Sequence, residues 1–309
     1  MPRARGLVER IGQRESSLIY EHNGEHTVQP LLVADHGQAL RAVVDALSYM
    51  ELAANALEGV GHRVVHGGER VVEAVQITPD IEKQIEACAP LAPLHNPAAL
   101  EGIRAARRLF GGVPQVGVFD TAFHQTLPAR AFLYALPRVL YSEQGIRRYG
   151  FHGTSHRYVA MRAGELLGFE QEKLHVITCH LGNGVSLAAV AGGRCIDTTM
   201  GLTPLEGMPM GTRSGDIDPA LVFHLVRSGK TLDEVEYMLQ HESGLLGLSE
   251  RSQDVRELEA AVVDGDEIAA EALEVFAYRV RKAIGSYCAV LGRVDALVFT
   301  GGIGQHSAF

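Results

Sequence analysis

The chain has 309 residues, 46% of them hydrophobic and 21% charged, and carries a formal net charge of −9 at neutral pH. That length suffices for two domains with substantial cores, and the acidic balance argues against a general nucleic-acid-binding surface. No apolar run is long enough to cross a bilayer, Met1-Pro2-Arg3-Ala4-Arg5 leads into no signal-peptide core, and the four scattered cysteines (Cys88, Cys179, Cys195, Cys288) form no C-x-x-C pair. These features suit reduced thiols, a cytoplasmic location and no membrane partner.

Ala34–Gly59 is Ala-rich and apolar-periodic, and is expected to be a helix ending at a glycine. His62–His66 is a short β-rich run closed by Gly67-Gly68, with Arg63 inside it; a charge on such a strand marks a site. Asn96-Pro97 predicts a helix start, an N-cap followed by proline at the first turn, for a helix running to Phe110. Gln115–Phe119 is a buried-type strand that delivers Asp120 and Thr121 at its end. Asp120 there suits a base, a magnesium anchor, an arginine orienter or a simple N-cap. The texture breaks over Phe123–Gly150, which places the domain boundary at 122/123.

Thr154–Leu167 is helical in pattern. His152 and His156 are spaced like helical zinc ligands, but no glutamate follows the first histidine and Gly153 sets His152 ahead of the helix. A histidine at the positive end of a helix suits donation to a phosphoryl oxygen instead. Leu174–Cys179 reads as a strand, followed by the glycine turn His180-Leu181-Gly182-Asn183-Gly184. Val185–Val190 and Arg194–Thr199 flank Gly192-Gly193, a hairpin signal. Gly201 to Pro219 reads GLTPLEGMPMGTRSGDIDP, with Arg213 lacking an acidic neighbour until Asp216. Arg63, Arg213 and the pair Arg147-Arg148 are candidate anion clamps, because the planar guanidinium fork suits carboxylate and phosphoryl oxygens.

Asp218-Pro219 opens another helix, Asp254–Glu274 is an acidic amphipathic helical stretch, and Glu271–Leu291 is a long helix. Ala296–Thr300 is a last strand running into the glycine turn Gly301-Gly302-Ile303-Gly304. Two glycine turns at strand ends point to nucleotide phosphates. The order of elements is that of an α/β protein with ligand loops at strand ends and a cleft between two domains.

Eight ordered stretches carry a resemblance: GHRVVHGGE (61–69), APLHNPAAL (92–100), VFDTAFHQT (118–126), RRYGFHGTSH (147–156), HLGNG (180–184), DTTMGLTPLEGMPMGTRSGDIDP (197–219), ESGLLGLS (242–249) and VFTGGIG (298–304). Over nearly the whole chain from about Gly6 they resemble the acetokinase family, of the actin/hexokinase/Hsp70-like phosphotransferase superfamily. The resemblance implies an α/β fold with two ribonuclease-H-like (actin-like ATPase) domains around a cleft, residues 1–122 and 123–309, both incomplete at the chain ends. It implies reversible phosphorylation of acetate by ATP to acetyl phosphate and ADP, by direct in-line transfer with Mg2+, in a homodimer. A propionate or short-chain acyl kinase and a non-catalytic nucleotide-binding module are the alternatives.

Carried over by motif, Asp120, His152 and Arg213 are the catalytic residues, with Arg63 holding substrate beside Arg213. Val65, Leu94, Phe151 and Pro204 match a small acyl pocket. His180, Leu181, Gly182, Asn183, Gly184, Asp254, Val255, Arg256, Gly302, Ile303, Gly304, Gln305 and His306 match the nucleotide site. The chain also departs from the pattern. The N-x-G-S-S-S-x-K loop and the helix-rich segment after the last glycine loop have no counterpart, and Gln305-His306 stands where Glu-Asn is common. The family's metal ligands fall in those segments, leaving Asp120 as the carboxylate that could meet the ion. The expectation is a fragment with little or no kinase activity, its first sheet open at an edge.

Overall fold

The structure, a computed structural model, describes residues 3–12, 15–50, 57–93 and 95–308. The chain divides into two units, Met1–Phe119 and Asp120–Phe309.

The first unit opens with an antiparallel meander that the sequence reading did not anticipate: β1 (Ala4–Glu9), β2 (Ser16–His22) and β3 (Glu25–Leu31), in the order β1-β2-β3. The β2–β3 turn is Asn23-Gly24, with φ of 49° and 83°. This two-residue turn twists with the strands and needs positive φ at both positions. A helix then runs over His36–Tyr49, starting where Asp35 Oδ1 accepts the Gln38 N–H at 2.8 Å. It is shorter than the predicted Ala34–Gly59, of which residues 51–56 lie outside the described residues.

A second sheet holds β4 (Val60–Val64), β5 (Val75–Gln76) and β6 (Gln115–Phe119) in the order β4-β6-β5, with β4 parallel to β6. The helices Pro79–Ala87 and Asn96–Leu109 connect these strands. Asn96 is not the cap expected of it. His95 takes that position, while the buried Asn96 amide accepts from His66 N (3.1 Å) and donates to His66 O and Ile85 O (3.0 Å each). Three bonds to backbone outweigh one cap, because each of those groups would otherwise be buried unpaired.

The second unit is built on β7 (His175–Leu181), β8 (Val185–Ala191), β9 (Arg194–Thr198) and β10 (Ala296–Thr300), in the order β10-β7-β8-β9. Gly192 and Gly193 both take positive φ, 59° and 72°, and close the expected β8–β9 hairpin. The helix Gly153–Leu167 covers one face, where Ala160, Ala163, Leu174, Val176, Ala188 and Val190 form a buried cluster. The predicted Asp254–Glu274 helix is two helices, Val255–Val263 and Glu267–Leu291, broken at Gly265 (φ 90°) and restarted by the Asp266 cap on Ala269 N.

The expected turn Gly301–Gly304 is also corrected, being the start of a helix, Gly301–His306. Gly301 takes φ 81°, and a Cβ there would lie 2.5 Å from the Leu181 carbonyl oxygen. Only glycine lets the chain pass so close to β7. Among the described residues, no helix is long and apolar enough to cross a membrane.

Candidate active site

Strand alternation and helix periodicity together build a polar layer inside the second unit. Thr178 and His180 on β7 share a face with Ser186 and Ala188 on β8, since His180 pairs with Ser186 and Thr178 with Ala188. The helix Gly153–Leu167 lies on that face and brings His152, Ser155 and His156 to it. His152 Nδ1 sits 2.8 Å from Ser186 Oγ, and His156 Nε2 sits 2.7 Å from the same oxygen. His156 Nδ1 is 2.7 Å from Thr178 Oγ1, and His180 Nδ1 is 2.9 Å from Ser155 Oγ. The His152 and His180 rings stack with centroids 4.2 Å apart. The i, i+4 histidine pair therefore converges on a serine hydroxyl.

His152 holds the left-handed conformation (φ 57°, ψ 23°) at the N-cap of its helix, which costs about 1–3 kcal/mol for a side chain of this kind. The strain is held by Gly153, whose N–H donates to Asp120 O at 2.9 Å and whose absent Cβ would meet that oxygen at 2.2 Å. The result turns His152 Nε2 toward Gly184. A Cβ on Gly184 would stand 3.3 Å from His152 Nε2 and 3.7 Å from Arg213 Nη1. An imidazole nitrogen and a guanidinium thus border one space left open by a missing side chain. That is a place for an oxyanion.

Arg213 is carried by a loop clamped from two sides. Met210 N donates to Arg213 O (3.0 Å), Ser214 N to Leu239 O (3.0 Å) and Ser243 N to Thr212 O (2.9 Å). Gly244, at φ 62°, packs where a Cβ would be 2.1 Å from Met210 O. Asp216, the nearest acid in sequence, instead accepts from Gly207 N at 2.8 Å. Among the described residues no carboxylate lies within ion-pair distance of Arg213, and burial lowers its pKa from the usual arginine value. It is half-buried and lacks a counter-charge, the state of a cation built to meet an anion.

The C-terminal ends of β7 and β10 lie side by side, with Thr300 opposite His180 in the parallel register. Both glycine segments therefore emerge on the same edge, where parallel α/β sheets bind ligands. Beside them lies an open groove of about 810 Å³. Of the residues predicted for nucleotide, Gly182, Asn183, Asp254, Val255, Arg256, Gly302, Ile303 and His306 line it, joined by Ser252, Gln253, Glu257, Glu259 and Ser307. Asp254 caps the Val255–Val263 helix and binds Arg256 through Nε (3.0 Å) and Nη2 (2.5 Å), which lowers its carboxyl pKa. Ser307 Oγ donates to Glu259 Oε1 (2.5 Å) and closes one end.

The model of the Acetokinase family matches residues 1–309. The chain belongs to the acetokinase family. It is 53% identical over 306 residues to the acetate kinase of Geobacillus kaustophilus and 51% identical over 310 residues to that of Halothermothrix orenii. Each match covers 98% of this chain, and 77% and 78% of those proteins respectively. Among solved structures it is similar to Porphyromonas gingivalis acetate kinase (44% identity, TM-score 0.92, 99% of this chain and 79% of that one). It is also similar to a propionate kinase from Francisella tularensis (42% identity, TM-score 0.95, 100% and 79%). The chain is accordingly a phosphotransferase with the two-domain actin-like ATPase fold of acetate kinases.

Within the acetokinase frame the remaining predicted residues sort as follows. In the first unit Arg63 is exposed on β4 and Val65 is buried just after it, while Leu94 lies outside the described residues. In the second unit Phe151 is buried beside His152 and Pro204 is half-buried in the loop after β9. Asp120 is only 2% exposed. His180, Leu181, Gly184, Gly304 and Gln305 do not line the groove; His180 and Gly184 belong to the histidine–arginine cluster instead.

Arg147-Arg148 is no anion clamp. Arg148 binds Glu206 Oε1 (2.5 Å) and the carbonyls of Thr198, Thr199 and Met200, and Arg147 lies over the Phe132 ring. The hydrogen-bonded arrangement of His156, Ser186 and Thr178 escaped notice; the available signal was a hydroxyl residue buried on each of β7 and β8.

Proposed function

We propose that the chain transfers the γ-phosphoryl group of ATP to acetate, reversibly and in line, giving acetyl phosphate and ADP. The observation that carries this reading is the convergence of His152 Nε2 and Arg213 Nη1 on the space over Gly184. Acetate is already ionised at neutral pH, so its attack on phosphorus needs no general base. What the reaction needs is alignment and neutralisation of charge on the phosphoryl oxygens. Arg213 supplies a forked donor with fixed charge, and His152 a second donor at the positive end of a helix. ATP occupies the groove beside Asn183, Asp254 and Ile303. By family motif, Arg63 is proposed to hold the acetate carboxylate and Val65 and Leu94 to select the acyl group, roles assigned from sequence alone.

Among the described residues no three His, Cys, Asp or Glu side chains gather to hold a metal. Mg2+ would be carried in on nucleotide phosphates and met by one or two carboxylates, and the buried Asp120 is the carboxylate proposed for that role. When bound, the ion would neutralise β- and γ-phosphate charge. The enzyme is proposed to work as a cytoplasmic homodimer.

Trapping acetyl phosphate with hydroxylamine, from acetate, ATP and Mg2+, tests the activity. Gly184→Ala tests the site. Its backbone is not in the left-handed region and the added methyl meets only side-chain atoms, the nearest at 3.3 Å, so the melting temperature is expected to change little. With the methyl in the oxyanion space, kcat is expected to fall about 10²-fold; unchanged turnover would place the phosphoryl group elsewhere. The structural similarity to a propionate kinase calls for one more comparison. kcat/KM is expected to drop from acetate to propionate to butyrate, and a maximum at propionate would reassign the substrate.

A further inference from the structure

Behind His152 lies a chain of hydrogen bonds that ends in the sheet: His152 Nδ1 to Ser186 Oγ, Ser186 Oγ to His156 Nε2, and His156 Nδ1 to Thr178 Oγ1. The last member, Thr178 Oγ1, lies 3.4 Å from the Ala188 carbonyl oxygen. A carbonyl only accepts, which gives the chain a direction. With Thr178 donating its one proton to Ala188 O, it accepts from His156 Nδ1–H. A neutral His156 then has a lone pair at Nε2, which accepts the Ser186 proton. Ser186, having donated, accepts from His152 Nδ1–H. The reverse order would leave Thr178 unable to donate to Ala188 O.

We propose that Thr178, His156 and Ser186 form a one-way relay that commits His152 Nδ1 as a donor, which makes Ser186 and His156 positioning residues for the ring facing the transferred phosphoryl group. The proposal rests on the role assigned above to His152 and deepens it. With Nδ1–H fixed inward, Nε2 of the neutral ring carries a lone pair. The ring can donate to a phosphoryl oxygen only as an imidazolium, so it brings a full positive charge beside Arg213. Every proton in the relay then points away from that charge, and no member has to reorient when His152 is protonated.

Burial supports the arrangement. His156 is fully buried, and desolvation, with His124, His152 and His180 nearby, lowers its pKa well below the usual histidine value. It remains neutral and keeps the one lone pair the relay requires. Among the described residues, the titratable and charged groups facing His152 include His180 stacked on it, His156 behind Ser186 and Arg213 across Gly184, while the Asp120 backbone oxygen accepts from Gly153 next to it.

The test is side-chain ¹⁵N NMR of the full chain labelled at histidine, with the His152 signals assigned from the His152→Gln spectrum. At alkaline pH the neutral His152 ring is expected to carry its proton on Nδ1, the minor form of free imidazole. Ser186→Ala is expected to restore the ordinary Nε2–H form and to lower kcat about 10–100-fold, the usual range for a second-layer partner. KM for ATP and acetate should stay within about two-fold, because no substrate contact is removed. Thr178→Val should weaken the Nδ1–H preference, and Thr178→Ser, which keeps the hydroxyl, should retain it.

An Nε2–H ring in the unsubstituted chain would overturn the relay, as would a Ser186→Ala protein with unchanged kcat or with its loss entirely in KM. The NMR readout requires no turnover. A chain with the Nδ1–H signature but no acetyl phosphate would keep the relay and refute only the assigned reaction.

Discussion

Replacing Arg213 with alanine is expected to lower kcat about 10³-fold and leave the melting temperature unchanged or slightly raised. The two halves of that expectation come from one observation. Arg213 is half-buried with no carboxylate partner among the described residues, and its closest polar side-chain contact is the Met210 sulfur at 3.6 Å. A charge held this way adds little to the resting fold, since its desolvation is not offset by an ion pair. Its loop is instead held by backbone bonds from Met210, Ser214 and Ser243, and these survive truncation of the side chain. In the proposed reaction the guanidinium meets its counter-charge when a phosphoryl or carboxylate oxygen enters the space over Gly184.

Arg213→Lys keeps a positive charge but loses the planar fork, and an intermediate loss of about 10²-fold is expected. Coupled-assay kinetics and thermal melts of the three proteins check both halves. A large drop in melting temperature with alanine would assign Arg213 a structural role instead.

The legible parts of the sequence were those set by local chemistry. β6 and β10 have the predicted bounds, and the Gly192-Gly193 hairpin forms where two adjacent glycines allow positive φ. The family followed from long ordered motifs. The β1–β3 meander was missed although its Asn23-Gly24 turn is a strong local signal, because β3 alternates polar residues on a largely exposed strand and lacks an apolar run. Asn96 was misjudged because its partners, His66 and Ile85, are remote in sequence.

The site divides along the same line. Arg213, His152 and Gly184 stood out as single residues, but their convergence depends on the left-handed turn at His152 and on Gly153 passing against Asp120. Arg148 had the same composition signal as Arg213 and a different fate, because Glu206 folds back onto it across the loop after β9. Which arginine lacks a partner is decided by tertiary structure alone.

Acidification is expected to destabilise the second unit by about 3 kcal/mol between pH 6.5 and pH 4, ahead of general acid unfolding. His124 is fully buried, with Nε2–H donating to Phe151 O at 2.9 Å and Nδ1 facing the Cys195 thiol at 3.1 Å. Burial lowers its pKa from 6.5 to about 4, against smaller raising effects from the Phe151 hydrogen bond and Asp120. Burial also raises the pKa of the Cys195 thiol, so that partner stays protonated.

The sign follows from the folded value being the lower one. Between the two values the unfolded chain binds a proton that the folded chain refuses, so stability is complete above pH 6.5 and falls as pH drops toward 4. A difference of about 2.5 units corresponds to roughly 3 kcal/mol at 1.36 kcal/mol per unit. His156, whose pKa burial also lowers well below the usual histidine value, adds to the slope in the same direction. The Asp254 cap has its pKa lowered too, but its loss begins only as pH falls through the ordinary carboxylate value, below the histidine range. Urea midpoints measured from pH 7 to pH 4.5 should therefore decline through the histidine range. His124→Gln keeps an amide donor for Phe151 O and removes the titration, so it should flatten that decline while leaving the part owed to His156. An unchanged slope in His124→Gln would mean that the buried imidazole is not what refuses the proton.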